Sequence, residues 1–116
     1  MKFFAKFLRS ISKAVFRLRN HATILDIPTE HFNNILKRLK SEGWKQTYEY
    51  SGFDAWIDYG AVRLRKNAIT LFFEWDNWTE GSIEGPRNFI EGFAKNNSMS
   101  VSYKWRWSEY DNNFLV

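Results

Sequence analysis

The chain has 116 residues, 44% apolar and 19% aromatic, with six Trp, eleven Phe, no Cys and a net charge of +4. That length suits one domain with a real core, the ring content excludes disorder, and the lack of cysteine removes disulfides, thiolate metal sites and thiol nucleophiles, which fits a reducing, cytoplasmic compartment. Lys2, Lys6, Arg9, Lys13, Arg17 and Arg19 stand in residues 1–19 without an acid, leaving −2 for the rest of the chain, so a pI-based case for nucleic-acid binding by the whole domain fails.

At 100° per residue, Phe3, Phe4, Phe7, Leu8, Ile11, Ala14, Val15 and Leu18 share one arc of about 140°, opposite the bases. This predicts a basic amphipathic helix over residues 1–20, set before a single α+β domain over 21–116. No apolar run approaches the ~20 residues a membrane-spanning helix needs. The expectation is that the Phe-rich stripe packs on the body. The alternative is a membrane-surface or partner helix using Lys2, Lys6, Arg9, Lys13, Phe16 and Arg17, giving membrane association. Phe16 falls among the basic positions, where packing of the stripe would leave it exposed.

After "ILDIP", read as a linker, Thr29 is expected to cap a helix running to Glu42, with Phe32, Ile35, Leu36 and Leu39 inward and Gly43 as the stop. "WKQTYEY" then reads as a first strand. "FDAWIDYGAVRLRKNAITLFFEW" reads as three more, joined by two-residue turns at Tyr59-Gly60 and Asn67-Ala68. That register sets Ile57 opposite Val62 opposite Phe73 on one face, and Trp56, Arg63 and Phe72 side by side on the other. "GPRNFIEGFAKNN" is expected to form a short helix begun by Pro86 and ended by Asn96-Asn97. "SVSYKWRWS" alternates and is expected to be the last strand, with Val101, Tyr103, Trp105 and Trp107 on one side. The expected order is α-α-β-β-β-β-α-β: an α+β domain with a mostly antiparallel sheet of about five strands and helices packed on it.

Chemistry-bearing patterns are few. "EWDNWTEGSIEGP" fails the calcium-loop pattern, since Trp78 and Arg87 occupy two ligand positions, and no metal or cofactor is expected. His21 and His31 lie away from the carboxylates in the predicted elements, so no Ser-His-Asp arrangement has a sequence basis, and no catalytic residue is named. A sheet face carrying Trp56, Arg63 and Phe72 offers a cation–π row or a sugar or small-ligand platform. Nucleic acid is disfavoured there because four acids match four bases.

The segment "EWDNWTEGSIEGPRNFIEGFAKNNSMSVSYKWRWSEYD" resembles small bacterial proteins of uncharacterised activity with an acidic EGP turn, a short helix and a WRWSxYD ending; the likeness covers about residues 43–111. In size, cysteine content and α+β layout the chain is similar, at the level of fold, to bacterial immunity proteins that neutralise toxins. That resemblance implies a non-enzymatic protein-binding module. Its expected contact surface is Glu74, Asp76, Trp78, Glu80, Glu84 and Arg87, read as a polar loop that meets a basic partner such as a toxin domain. The secondary surface is Trp56, Arg63 and Phe72.

Overall fold

The computed structural model describes residues 13, 14, 16 and 20–107. In chain order come strand β1 (His21–Ile27), helix α1 (Thr29–Ser41), strands β2 (Lys45–Glu49), β3 (Tyr59–Lys66), β4 (Ile69–Asp76) and β5 (Glu80–Pro86), and helix α2 (Arg87–Asn96). The strands form one antiparallel sheet in the spatial order β1-β5-β4-β3-β2. The α+β class, the single domain and the five-stranded sheet agree with expectation, but the order of elements does not. The supposed linker is β1 and the supposed acidic loop is β5, while residues 53–58 and 100–107 supply no strand among the described residues.

Helix α1 buries Phe32, Ile35, Leu36 and Leu39, as their spacing requires. Gly43 takes φ 100° just beyond it, a backbone state that favours glycine. Its start differs from expectation, because Thr29 is the first helical residue and Pro28 precedes it without a side-chain cap. The free N-terminal amide is met from across the sheet: the Glu80 carboxylate accepts the Thr29 N–H at 2.6 Å and its hydroxyl at 3.0 Å. An anion at this end also suits the helix dipole.

The β3–β4 hairpin has the expected register, Val62 opposite Phe73, Arg63 opposite Phe72 and Leu64 opposite Leu71. Asn67 turns it at φ 56°. On the other side of β3 the expectation fails, since Arg63 and Leu64 face Tyr48 and Gln46 of β2 instead of Trp56 and Ala55. Trp56 adopts φ 61°, which no strand continues, and its ring lies over Gly60, where a Cβ would meet it at 2.2 Å. Gly60 is thus required by packing and not by a turn.

Strand β5 is legible only in three dimensions. A Cβ on Gly81 would lie 2.4 Å from the Phe32 ring, and one on Gly85 would lie 2.6 Å from Leu71. The glycines make room for side chains from neighbouring elements, so a strand that looks like a loop sits inside the sheet, between β1 and β4. Around it Ile24, Phe32, Leu64, Leu71, Phe73, Ile83 and Ile90 are all but fully buried, each contributing about 1.5–3 kcal/mol of burial. Phe32 meets Phe73 edge to face, with centroids 5.7 Å apart. Helices α1 and α2 both contribute to this one core.

The other face of the sheet is covered differently. Ser102 exchanges two backbone hydrogen bonds with Thr23 at 2.7 and 2.8 Å, and the Thr23 hydroxyl then donates to the Lys104 carbonyl at 3.0 Å. Beyond that point Trp105 and Trp107 pack with Phe16 and Tyr59 in a second cluster. Lys13, Ala14 and Phe16 are helical, and Phe16 is buried, contrary to the expectation of exposure. Trp105, Trp107 and the edge of His21, at 6.3 Å, give its ring partners that helical periodicity could not supply. Lys2, Lys6, Arg9 and Arg17 lie outside the described residues, as do residues 108–111 of the WRWSxYD ending.

Candidate docking site at the acidic end of the sheet

Two connections meet where β3 begins and β4 ends. Residues 50–58 fold into successive tight turns: the Ala55 N–H donates to the Gly52 carbonyl at 3.0 Å, that of Ile57 to Asp54 at 2.9 Å, and that of Trp56 to Tyr59 at 2.7 Å. The Tyr50 hydroxyl donates to the Asp54 carboxylate at 2.6 Å. Trp56 anchors the loop with one side of its ring against Phe32 and Trp75, centroids at 6.4 and 6.3 Å, while 38% of it stays exposed, and its indole N–H donates to Glu49 at 2.9 Å. That bond is the main cause holding the Glu49 carboxyl below its ordinary range. With Trp56 turned in, its neighbours turn out: Phe53 is fully exposed and Ile57 is 68% exposed.

The second connection, residues 77–79, is built on Asp76. One carboxylate oxygen accepts the N–H groups of Trp78 and Thr79 at 2.8 and 2.7 Å. The other accepts the Thr79 hydroxyl and the Arg106 guanidinium, each at 2.5 Å. Burial alone would raise the Asp76 carboxyl, but these donors together hold it below its ordinary value. The turn displays Trp78 at 74% exposure. The Asn77 N–H donates to the Asp58 carbonyl at 3.0 Å and ties the two connections together.

The expected contact residues therefore separate. Trp78 and Glu80 lie at this end and are exposed, Glu80 being engaged with Thr29. Glu74, Asp76 and Glu84 are buried on the sheet face beneath residues 105–107, so the expectation of an acidic surface loop does not hold for them. The cause is alternation, since in β4 and β5 these acids share the face opposite Phe73 and Ile83. Glu74 accepts the Tyr59 hydroxyl at 2.7 Å and the Trp107 indole N–H at 3.2 Å. Burial outweighs these bonds and the Arg106 charge, and raises its carboxyl. The same burial, beside that carboxylate, pushes the Tyr59 phenol up. Glu84 meets His21 at 2.7 Å. Arg87 lies elsewhere, over the Tyr103 ring at 4.5 Å.

The secondary surface assembles only in part: Arg63 and Phe72 are cross-strand neighbours as expected, but Trp56 does not join them. Arg63 lies over Tyr48 at 5.2 Å, Phe72 is half-buried on the second face, and Trp56 packs toward α1. Phe53 and Ile57, expected in a strand, are instead exposed apolar residues of the connection that is bonded to the Trp78 turn. No Lys or Arg occurs in residues 46–62 or 74–86, and Arg106, which reaches this end from a distant segment, is paired with the buried Asp76, so Asp54, Asp58 and Glu80 are left as acids beyond that pair.

Among the described residues no group of three or more His, Asp or Glu is placed to hold a metal ion, and no helix is long and apolar enough to cross a membrane. No protein-family model, curated protein or solved structure matches the chain.

Proposed function

We propose that this protein is a non-enzymatic binding module of the immunity type, which docks a basic protein domain through Phe53, Ile57 and Trp78 at the acidic end of its sheet. The observation that carries the reading is the display of three large apolar side chains from two tight turns bonded to each other. Exposed clusters of this kind mark interaction sites, and Trp is prominent among residues that dominate binding energy. The turns are already ordered by Trp56 and Asp76, so little conformational freedom would be lost on docking. Asp54, Asp58 and Glu80 around the apolar centre favour a partner of opposite charge and would speed its approach at low salt.

The test is a photo-crosslinking amino acid placed at position 53 in cells that make the protein, with the same group at Lys95, at the other end of the molecule, as control. The expected result is a crosslink to one basic protein from position 53, absent from position 95 and lost when Trp78→Ser is added. Equal products from both positions, or products indifferent to Trp78→Ser, would overturn the reading.

A further inference from the structure

The opposite end of the sheet has the reverse character. There the C-termini of α1 and α2 approach the β3–β4 turn around an open cavity of about 560 Å³, a volume ordinary for a small-molecule site. Its walls are aromatic, and its rim carries two cations, Arg38 and Lys66, against one acid, Glu42. Phe89 and Phe93 lie nearly parallel, 19° apart with centroids at 6.1 Å, and Phe89 also meets the edge of Trp44 at 5.5 Å. Phe89 and Phe93 are only half-buried, so the wall they form is reachable from solvent.

The rim groups are held in place by neutral partners. The Arg38 guanidinium donates to the Asn97 side-chain oxygen at 2.9 Å and lies 5.7 Å from the Phe93 centroid. The Lys66 ammonium donates to the Glu42 carbonyl at 2.8 Å. Among the described residues neither is paired with a carboxylate. Arg65 and Lys45 stand opposite each other in the β2–β3 register just outside, and Arg65 donates to the Asn67 carbonyl at 3.2 Å, which brings a further cation to the turn. Aromatic faces beside two positive groups that are not ion-paired, and that outnumber the one acid, make a combination that takes a planar ring on its face and an anion at its edge.

We infer that this cavity binds a nucleotide unit, the base against Phe89 and Phe93 and the phosphate between Arg38 and Lys66. Asn67 and Asn96 line the same cavity and offer amide donors and acceptors suited to base edges or a sugar hydroxyl. The site is independent of the docking end. The shared chemistry has two sources, a free nucleotide or one residue of a single strand, and the test separates them.

The experiment is a titration of the full-length protein, followed by amide NMR shifts at Gly43, Lys66, Asn67, Phe93 and Asn97, with three probes: AMP, a ten-residue oligothymidylate, and inorganic phosphate. Shifts confined to these amides with AMP support a free nucleotide. Shifts with the oligothymidylate alone support a strand, whose affinity should then fall about sevenfold between 50 and 200 mM salt if two phosphates are neutralised. In either case Arg38→Gln with Lys66→Gln, both at exposed positions, should weaken binding about tenfold or more. Phe93→Leu, which keeps apolar bulk but removes the ring face, should weaken AMP or oligothymidylate about tenfold while leaving the melting temperature close to wild type. Absence of shifts with both nucleotide probes at millimolar concentration overturns the inference, as does phosphate alone giving the same shifts at the same affinity.

Discussion

Replacing Gly81 with alanine should destabilise the protein, although alanine ordinarily improves on glycine inside an element. Gly81 needs no unusual backbone, since Gly43 is the only glycine at positive φ among the described residues. What it needs is space: the new Cβ would lie 2.4 Å from Cδ2, 2.8 Å from Cγ and 3.0 Å from Cβ of Phe32. Phe32 cannot step aside, because it is fully buried and its ring is held by Phe73 and Trp56. Overpacking of this kind costs about 1–3 kcal/mol, against about 0.4–1 kcal/mol gained by restricting the unfolded chain. The net loss of about 1–2 kcal/mol should lower the melting temperature by roughly 4–10 °C, read by differential scanning calorimetry. Gly92 is the control: it lies within α2, and a Cβ added there would meet no atom within 4 Å, so Gly92→Ala should stabilise by about 0.5–1 kcal/mol. In a Phe32→Leu background the Gly81→Ala penalty should shrink by about 1 kcal/mol. Gly81→Ala melting at or above wild type would refute the packing argument for β5.

Glu80→Ala should cost about 1 kcal/mol in urea unfolding by freeing the α1 N-terminus, whereas Glu30→Ala should cost less, having no such bond to lose. The Asp76 carboxyl is lowered in the folded state, so its contribution is present above its unfolded pKa and lost as pH falls through the folded one; Asp76→Asn should therefore flatten the acid side of the stability profile. Glu74 has the opposite sign. Its raised pKa means that its contribution is full below the unfolded value and lost as pH rises through the folded one, so Glu74→Gln should gain on wild type on moving from pH 4 to pH 8 in parallel melts. Phe53→Ser and Ile57→Ser should change stability by less than about 0.5 kcal/mol, while Trp56→Ala, which removes the ring contacts to Phe32 and Trp75 of a side chain 38% exposed, should cost about 1–2 kcal/mol by the same measurement.

The periodicities legible in the chain were those set by neighbours along it. The apolar spacing of Phe32, Ile35, Leu36 and Leu39, the stop at Gly43, and the mutual agreement of Val62, Leu64, Leu71 and Phe73 determine α1 and the β3–β4 hairpin, because a helix face and a tight hairpin are fixed by local separations. From these came the α+β class. Strand β5 and the role of Gly60 were decided by distant residues: a glycine required by the ring of Phe32 or Trp56 has no local signature, and reads as a turn. The same holds for the candidate sites. Trp78 stood out in the sequence, but whether Glu74, Asp76 and Glu84 face solvent depends on which face of the sheet Trp105, Trp107 and Phe16 cover, and Phe53 becomes a surface residue only because Trp56 leaves the extended path and packs inward. Local spacing sets which elements form, and contacts between residues far apart in the chain set which of their side chains remain available to a partner.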